Sequence, residues 1–163
     1  MKVAVLVLVF SMAAASGCNG SGSARTSPAE VRAGAVAFET IIQRSLPGQA
    51  GGTIREAARD QAAWEALWAR LRQGDGTLPE QTPTVDFQSE MVIVAAMETQ
   101  SCVSKVTIRG IAQGRGELVV DLLEAPPAPN CVCITSERPI HVVRLRRSPD
   151  PVRFDAERGQ TPC

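Results

Sequence analysis

The chain has 163 residues, with 17 lysines and arginines against 17 aspartates and glutamates, so its formal net charge is zero. This balance argues against the basic surface that nucleic-acid binding requires, and we expect no nucleic-acid partner. Tyrosine is absent and aromatic residues make up 4% of the chain, which argues against a surface that stacks on sugars or peptides.

Residues 1–17 have the composition of a secretory signal peptide. Lys2 supplies a positive charge, residues 3–10 are all apolar, and small residues follow as far as Gly17. The apolar run is much shorter than the roughly 20 residues that span a bilayer. We therefore predict a cleaved export signal rather than a membrane-spanning helix.

The signal peptide leads directly into a cysteine. The tetrad Ala15-Ser16-Gly17-Cys18 resembles the lipobox that the lipoprotein signal peptidase cleaves. We expect acylation of Cys18, which would anchor the protein to a membrane. The alternative is ordinary cleavage near Ala15, which would leave Cys18 as a free or disulfide-bonded thiol.

Behind the anchor, residues 18–36 are small and polar, with glycine and serine alternating at the start. Such a composition predicts a flexible tether. Residues 37–163 then have the length of a single domain. The expected location is the bacterial cell envelope, with the domain lipid-anchored and facing the periplasm or the cell exterior.

Four further cysteines lie in the domain: Cys102, Cys131, Cys133 and Cys163. An even number in an exported domain indicates two disulfides. Cys131 and Cys133 are two residues apart on a predicted strand, with Cα atoms roughly 7 Å apart, which disfavours a bond between them. We expect Cys102 to pair with one of them and Cys163 with the other.

The first half of the domain predicts two strands, at residues 38–45 and 53–58, followed by a helix. Asp60 is the predicted N-cap of this helix, and Gly74 its end. Its apolar residues recur at i, i+3, i+4 and i+7 and form one stripe: Trp64, Leu67, Trp68 and Leu71. The stripe predicts a helix face that packs on a sheet.

The second half predicts strands separated by turns. The ranges are 91–97, which is apolar throughout and therefore central, then 105–111, 117–124, 131–135, 140–145 and a short 152–154. Residues 125–130 form a proline-rich loop, and residues 136–139 a turn. The order predicts an α+β fold, in which one amphipathic helix packs on a mostly antiparallel sheet in a single domain with two disulfides.

Three motifs occur in a suggestive order: the Trp64-Glu65-Ala66-Leu67-Trp68 helix, the Val85-Asp86-Phe87 element and the strand Pro139-Ile140-His141-Val142-Val143. Together they resemble the C-terminal domain of the protease-complex subunit PrcB family, over residues 38–154. Members usually carry a Thr-Gly-Gly-Tyr element where this chain has residues 100–104. The family is named for an exported accessory lipoprotein of a surface protease, so the resemblance implies a non-catalytic protein-binding or stabilising module.

Candidate catalytic residues are few. Asp86 and Glu90 could act as an acid and base pair, and His141 could act as a base. The competing explanations are that Asp86 orders a turn before Phe87 and that His141 packs within its strand. No nucleophile elbow, phosphate loop or dinucleotide fingerprint is present. Zinc needs four ligands, and the single histidine lies far from a second cysteine pair, so we expect no metal and no cofactor.

Two functions follow from these observations. The first is an envelope-anchored, non-catalytic module that binds or stabilises an exported enzyme, such as a protease. Its expected partners are the membrane, through Cys18, and an exported protein. It predicts an exposed apolar patch or an open sheet edge, for which the strand at 140–145 is a candidate. The alternative is a small hydrolase or ligand-binding lipoprotein that uses Asp86, Glu90 or His141.

Overall fold

The computed structural model describes residues 34–47, 51–73 and 77–163, all within one compact unit, Val31–Cys163. The predicted signal peptide, Cys18, most of the tether and Gly74 lie outside the described residues. The elements, in chain order, are β1 (Phe38–Pro47), β2 (Ile54–Ala58), α1 (Gln61–Arg72), β3 (Glu90–Ala96), β4 (Gln100–Ser101), β5 (Lys105–Gln113), β6 (Leu118–Ala125), β7 (Ser136–Arg146) and β8 (Val152–Arg158).

The strands form two sheets. The first has the order β1-β7-β3-β2 with antiparallel neighbours, and β4 pairs with the start of β7. The second has the order β5-β6-β8, in which β5 and β6 are antiparallel and β6 and β8 are parallel. The expected α+β fold, with one helix packed on one sheet, is therefore wrong. The described chain is mostly β, with two sheets and one helix of 12 residues.

Strands β3 and β7 are buried on both faces, which explains the unbroken apolar run of β3. Val92 and Val94 belong to a core cluster that contains the tryptophans of α1. Met91 and Ile93, which point to the opposite face of the same strand, belong to a second cluster with residues of β5 and β6. The sheet is thus covered on both sides.

Helix α1 begins at the predicted cap. The Asp60 side chain accepts a hydrogen bond of 2.8 Å from the backbone N–H of Ala63, which satisfies one of the free N–H groups of the first turn. All four residues of the predicted apolar stripe are buried. The indole N–H groups of Trp64 and Trp68 donate to the carbonyls of Pro83 and Pro79, which joins the helix to the loop that follows it.

The segment around the second cysteine pair differs from its prediction. Residues 131–135 are irregular rather than a strand, and the predicted turn at 136–139 is the beginning of β7. The proline that suggested a turn, Pro139, lies beyond the last pair between β3 and β7, Ala96 with Ile140. Its missing N–H therefore breaks no ladder hydrogen bond with β3.

Strand β7 also lies inside its sheet. It pairs with β1 on one side and with β3 on the other. The prediction that residues 140–145 form an open sheet edge is therefore wrong.

No helix in the described part of the chain is long and apolar enough to cross a membrane.

The cap of α1 gives a stability test. We expect Asp60→Ala to lower the free energy of unfolding by about 1 kcal/mol, because the N–H of Ala63 loses its acceptor. Asp60→Asn keeps an oxygen acceptor and should lose much less. Urea denaturation of the two variants measures the difference, and equal losses would show that the side-chain cap contributes nothing.

Candidate functional site

Two disulfides are present, as the cysteine content indicates. Cys102 is bonded to Cys133, and Cys131 to Cys163. Bonds of this kind persist in an oxidising compartment, which is typical of proteins outside the cytoplasm. The Cys131-Val132-Cys133 segment is therefore held at both of its cysteines. Cys133 joins it to the loop before β5, and Cys131 joins it to residues 159–163.

These bonds join three segments at one end of the two sheets: residues 99–104, 125–136 and 159–163, which we call the loop end. Backbone contacts add to them. Cys102 N–H donates to the carbonyl of Thr135 at 3.1 Å, and Thr161 donates to the carbonyls of Pro126 and Val103. Cys102 has a φ of 70°, a left-handed conformation that is uncommon outside glycine. The disulfide and the bond to Thr135 hold it there.

The loop end carries no charged side chain, although charged residues make up 21% of the sequence. It does carry three large aliphatic side chains in contact with solvent. Val132 and Ile134 are fully exposed, and Val103 is 62% exposed. All three are neighbours in sequence of the bonded pair Cys102 and Cys133. Grouped, exposed apolar side chains on a folded protein mark interaction sites.

The described chain begins at the opposite end. Gln113 N–H donates to the carbonyl of Gly34, and Val36 N–H to that of Ile111, so residues 34–36 lie along the last residues of β5. The loop end lies next to the first residue of that strand, Lys105. Nine residues of extended strand separate the two ends by about 26 Å.

Asp86 and Glu90 lie at the end of the sheets where residues 34–36 are found, and they form a turn. Hydrogen bonds from the Ser89 hydroxyl and from Gln88 N–H hold the pKa of the Asp86 carboxyl below its usual value. Glu90 Oε2 accepts from Asp86 N–H at 3.3 Å. A carboxyl group with a lowered pKa is a poor proton donor at neutral pH, and this geometry is that of a turn leading into β3.

His141 is buried within β7 and links the two sheets. Its Nδ1 accepts a hydrogen bond of 2.8 Å from the backbone N–H of Ile108, in β5. The ring proton is therefore on Nε2, which donates to the Thr40 hydroxyl of β1 at 3.0 Å. Burial, and then the charge of Lys105, lower the pKa of His141. The ring is neutral and both of its nitrogens are occupied within the protein.

The structure brings Asp86 and Glu90 into one turn but places His141 away from them. In the register of β3 with β7, Glu90 lies opposite Arg146, whereas His141 lies opposite Ala95. Five residues along a strand correspond to about 16 Å. Among the described residues, no group of three or more histidine, cysteine, aspartate or glutamate side chains could hold a metal ion.

The exposure of the aliphatic residues of the loop end is not predicted by the sequence pattern. Residues 131–135 alternate in a way that predicts a half-buried strand, which would place Val132 in a core. The signal that could have revealed them is the absence of charge from residues 125–136 together with two cysteines that cannot bond to each other.

Comparison of the sequence with protein-family models and with curated proteins, and of the fold with solved structures, finds no match. The resemblance to the PrcB family therefore stays a prediction.

His141 gives a test in which stability depends on pH. The unfolded chain takes up a proton on this residue near pH 6.5, but the folded chain resists it, so folding stability should fall as the pH drops below about 6.5. The slope for one group is at most about 1.4 kcal/mol per pH unit. His141 is the only histidine. We therefore expect His141→Gln to be less stable than the unmodified protein at pH 7.5, but to show no histidine-dependent loss of stability between pH 7.5 and 5.5. Identical slopes in urea denaturation would contradict a neutral, buried ring.

Proposed function

We propose that this protein is an envelope-anchored lipoprotein that binds an exported protein through its loop end and has no catalytic role of its own. The observation that carries the proposal is the exposure of Val103, Val132 and Ile134 on a surface without charged side chains. Leaving such residues in water forgoes the free energy that burial would supply. Contact with a partner surface recovers it.

The disulfides support this use of the loop end. A loop that must be ordered on binding loses conformational entropy, which weakens the complex. Here Cys102–Cys133 and Cys131–Cys163 order the loop before any partner arrives. The aliphatic side chains are thus presented in a fixed arrangement, as in other rigid recognition surfaces.

Anchoring is supported by the signal peptide and by Cys18, and the resemblance to the PrcB family favours an exported enzyme, such as a protease, as the partner. The left-handed backbone at Cys102 agrees with this resemblance, because it falls in the segment where family members carry two glycines, which adopt that conformation readily. The distance of His141 from the turn that holds Asp86 and Glu90 supports the non-catalytic form of the proposal.

Site-specific photo-crosslinking in cells tests the proposal. A photo-reactive residue in place of Val132 or Ile134 should yield one dominant adduct with an exported protein, which mass spectrometry identifies. The same residue in place of Arg115, exposed near the end of the sheets that is remote from the loop end, should not yield it. An equal adduct from position 115, or none from either loop position, would contradict the proposal.

A charge substitution separates binding from folding. Ile134→Asp should change the free energy of unfolding by less than about 0.5 kcal/mol, because the side chain is exposed. It should abolish co-purification of the crosslinked partner, since a charge would have to be buried in the contact. The double variant Asp86→Asn with Glu90→Gln should keep the partner. Loss of the partner in the double variant and retention in Ile134→Asp would favour the alternative that uses the two carboxylates.

A further inference from the structure

Arg138 is a buried cation near the beginning of β7. It is 2% exposed, and it lies two residues before Ile140, on the face of the sheet that α1 covers. Its guanidinium donates to three backbone carbonyls: Nη2 to Gly52 at 2.7 Å, Nη1 to Arg70 and Nε to Met97, both at 3.4 Å. These bonds join the end of α1 to the segments before β2 and after β3.

The charge of Arg138 has no carboxylate partner in the described part of the chain, and the carbonyls that it contacts are neutral. Other arginines that lack such a partner, for example Arg44 and Arg146, are exposed and therefore hydrated. Glu124, the second buried residue with a charge in the described chain, is paired with Arg55. A buried charge without a counter-charge is costly, so Arg138 calls for an explanation.

The surroundings of Arg138 offset its charge only in part. The carbonyl of Arg70 belongs to the last turn of α1, where a helix carries a partial negative charge of about one half. The side chain of Arg70 acts in the opposite direction, although Glu56 accepts hydrogen bonds from it at 2.8 and 2.9 Å. Burial, and then the charge of Arg70, lower the pKa of Arg138. The guanidinium nevertheless stays charged at neutral pH.

A pocket of about 110 Å³ opens beside this guanidinium, between the end of α1 and residues 51–54. The other described residues that line it are neutral, except for Arg70. A Cβ at Gly51 would lie 2.6 Å from Arg138 Nη1, whereas a Cβ at Gly52 would meet no atom within 4 Å. The lack of a side chain at position 51 therefore lets the backbone approach the guanidinium, and the space beside Gly52 is open.

The chemistry of the pocket matches a carboxylate. The five N–H groups of a guanidinium form a planar fork that fits the two oxygens of a carboxylate. Three of these groups in Arg138 donate to carbonyls, which leaves one N–H on each Nη atom within the described chain. Because Glu56 balances Arg70, one positive charge remains to be matched. A carboxylate carries one negative charge, whereas a phosphate group carries closer to two at neutral pH.

We propose that this pocket binds a carboxylate against Arg138. The site is separate from the exposed aliphatic residues, and it does not depend on the proposed function. It lies next to the loop end, because the carbonyl of Gly51 accepts from the N–H of Thr99, the first residue of that region, at 3.2 Å. The carboxylate belongs either to an acidic side chain of a protein bound at the loop end or to a free organic acid.

Acetate is the probe for the purified protein at pH 7, with sodium chloride added to keep the ionic strength constant. It should shift the backbone amide resonances of Gly52 and Thr53 and the Nε–H resonance of Arg138 along a saturable curve. Acetamide, which is similar in size but neutral, should bind at least about tenfold more weakly.

A carboxylate built into the protein provides a matched pair of variants. Gly52→Asp places an acid beside the guanidinium, where a Cβ has open space and the backbone φ is not positive. It should lower the affinity for acetate at least about tenfold, because the pocket already holds a negative charge. Gly52→Asn has the same shape without the charge and should change the affinity by less than about threefold. Both variants keep Arg138 and its three carbonyl contacts, so the fold should persist.

The outcomes are distinct. Acetate shifts that do not saturate, equal binding of acetate and acetamide, or equal affinities in the two Gly52 variants would overturn the site. The photo-crosslink from position 134 identifies the source of the carboxylate. Its loss in Gly52→Asp but not in Gly52→Asn assigns the carboxylate to the partner, and its retention in both assigns it to a free organic acid. A missing crosslink in the unmodified protein contradicts only the proposed function, since acetate binding is measured without a partner.

Discussion

The fold depends on one constraint. Strands β3 and β7 carry apolar side chains on both faces, so another element must pack against each face of the sheet. The tryptophans of α1 contribute the cover on one side, and the sheet of β5, β6 and β8 contributes it on the other. Besides Arg138, near the beginning of β7, the buried polar residue on these strands is His141. Its ring replaces a backbone partner for Ile108 and so joins the sheets where a ladder does not. Buried in this way, with both ring nitrogens hydrogen-bonded, it holds the two sheets together.

Once both faces are covered, the surfaces available for recognition are the outer faces and the two ends of the sheets. The outer face of the second sheet carries ion pairs such as Arg109 with Asp121. Such exposed pairs contribute little stability, but their charges remain hydrated and make that face polar. The loop end differs in having no charged side chain and in being fixed by disulfides. The chain enters the described domain about 26 Å away, at the far end of β5, where Gly34 pairs. The predicted tether, if it attaches there, would leave the loop end remote from its point of attachment.

Features that depend on local sequence could be predicted. Asp60 as a cap, the buried stripe of α1 and the central position of β3 all follow from patterns within one segment. Features that depend on distant neighbours could not. The alternation in β5 and β6 predicts strands but not the sheet they join. Residues 131–135 alternate like a strand, yet bonds to Cys102 and Cys163 hold them outside both sheets. The position of His141 between the sheets could not be predicted, because its partners, Ile108 and Thr40, are remote in sequence.

We propose that the loop end is the surface that a partner covers. Amide hydrogen exchange measures this most directly, by comparing the purified protein with the protein in intact cell envelopes. If a partner covers the loop end, exchange in the envelope should be slower at residues 131–135 and around Val103, with no change in the turn at residues 86–90. Protection confined to that turn, or identical exchange throughout in the two preparations, would contradict it.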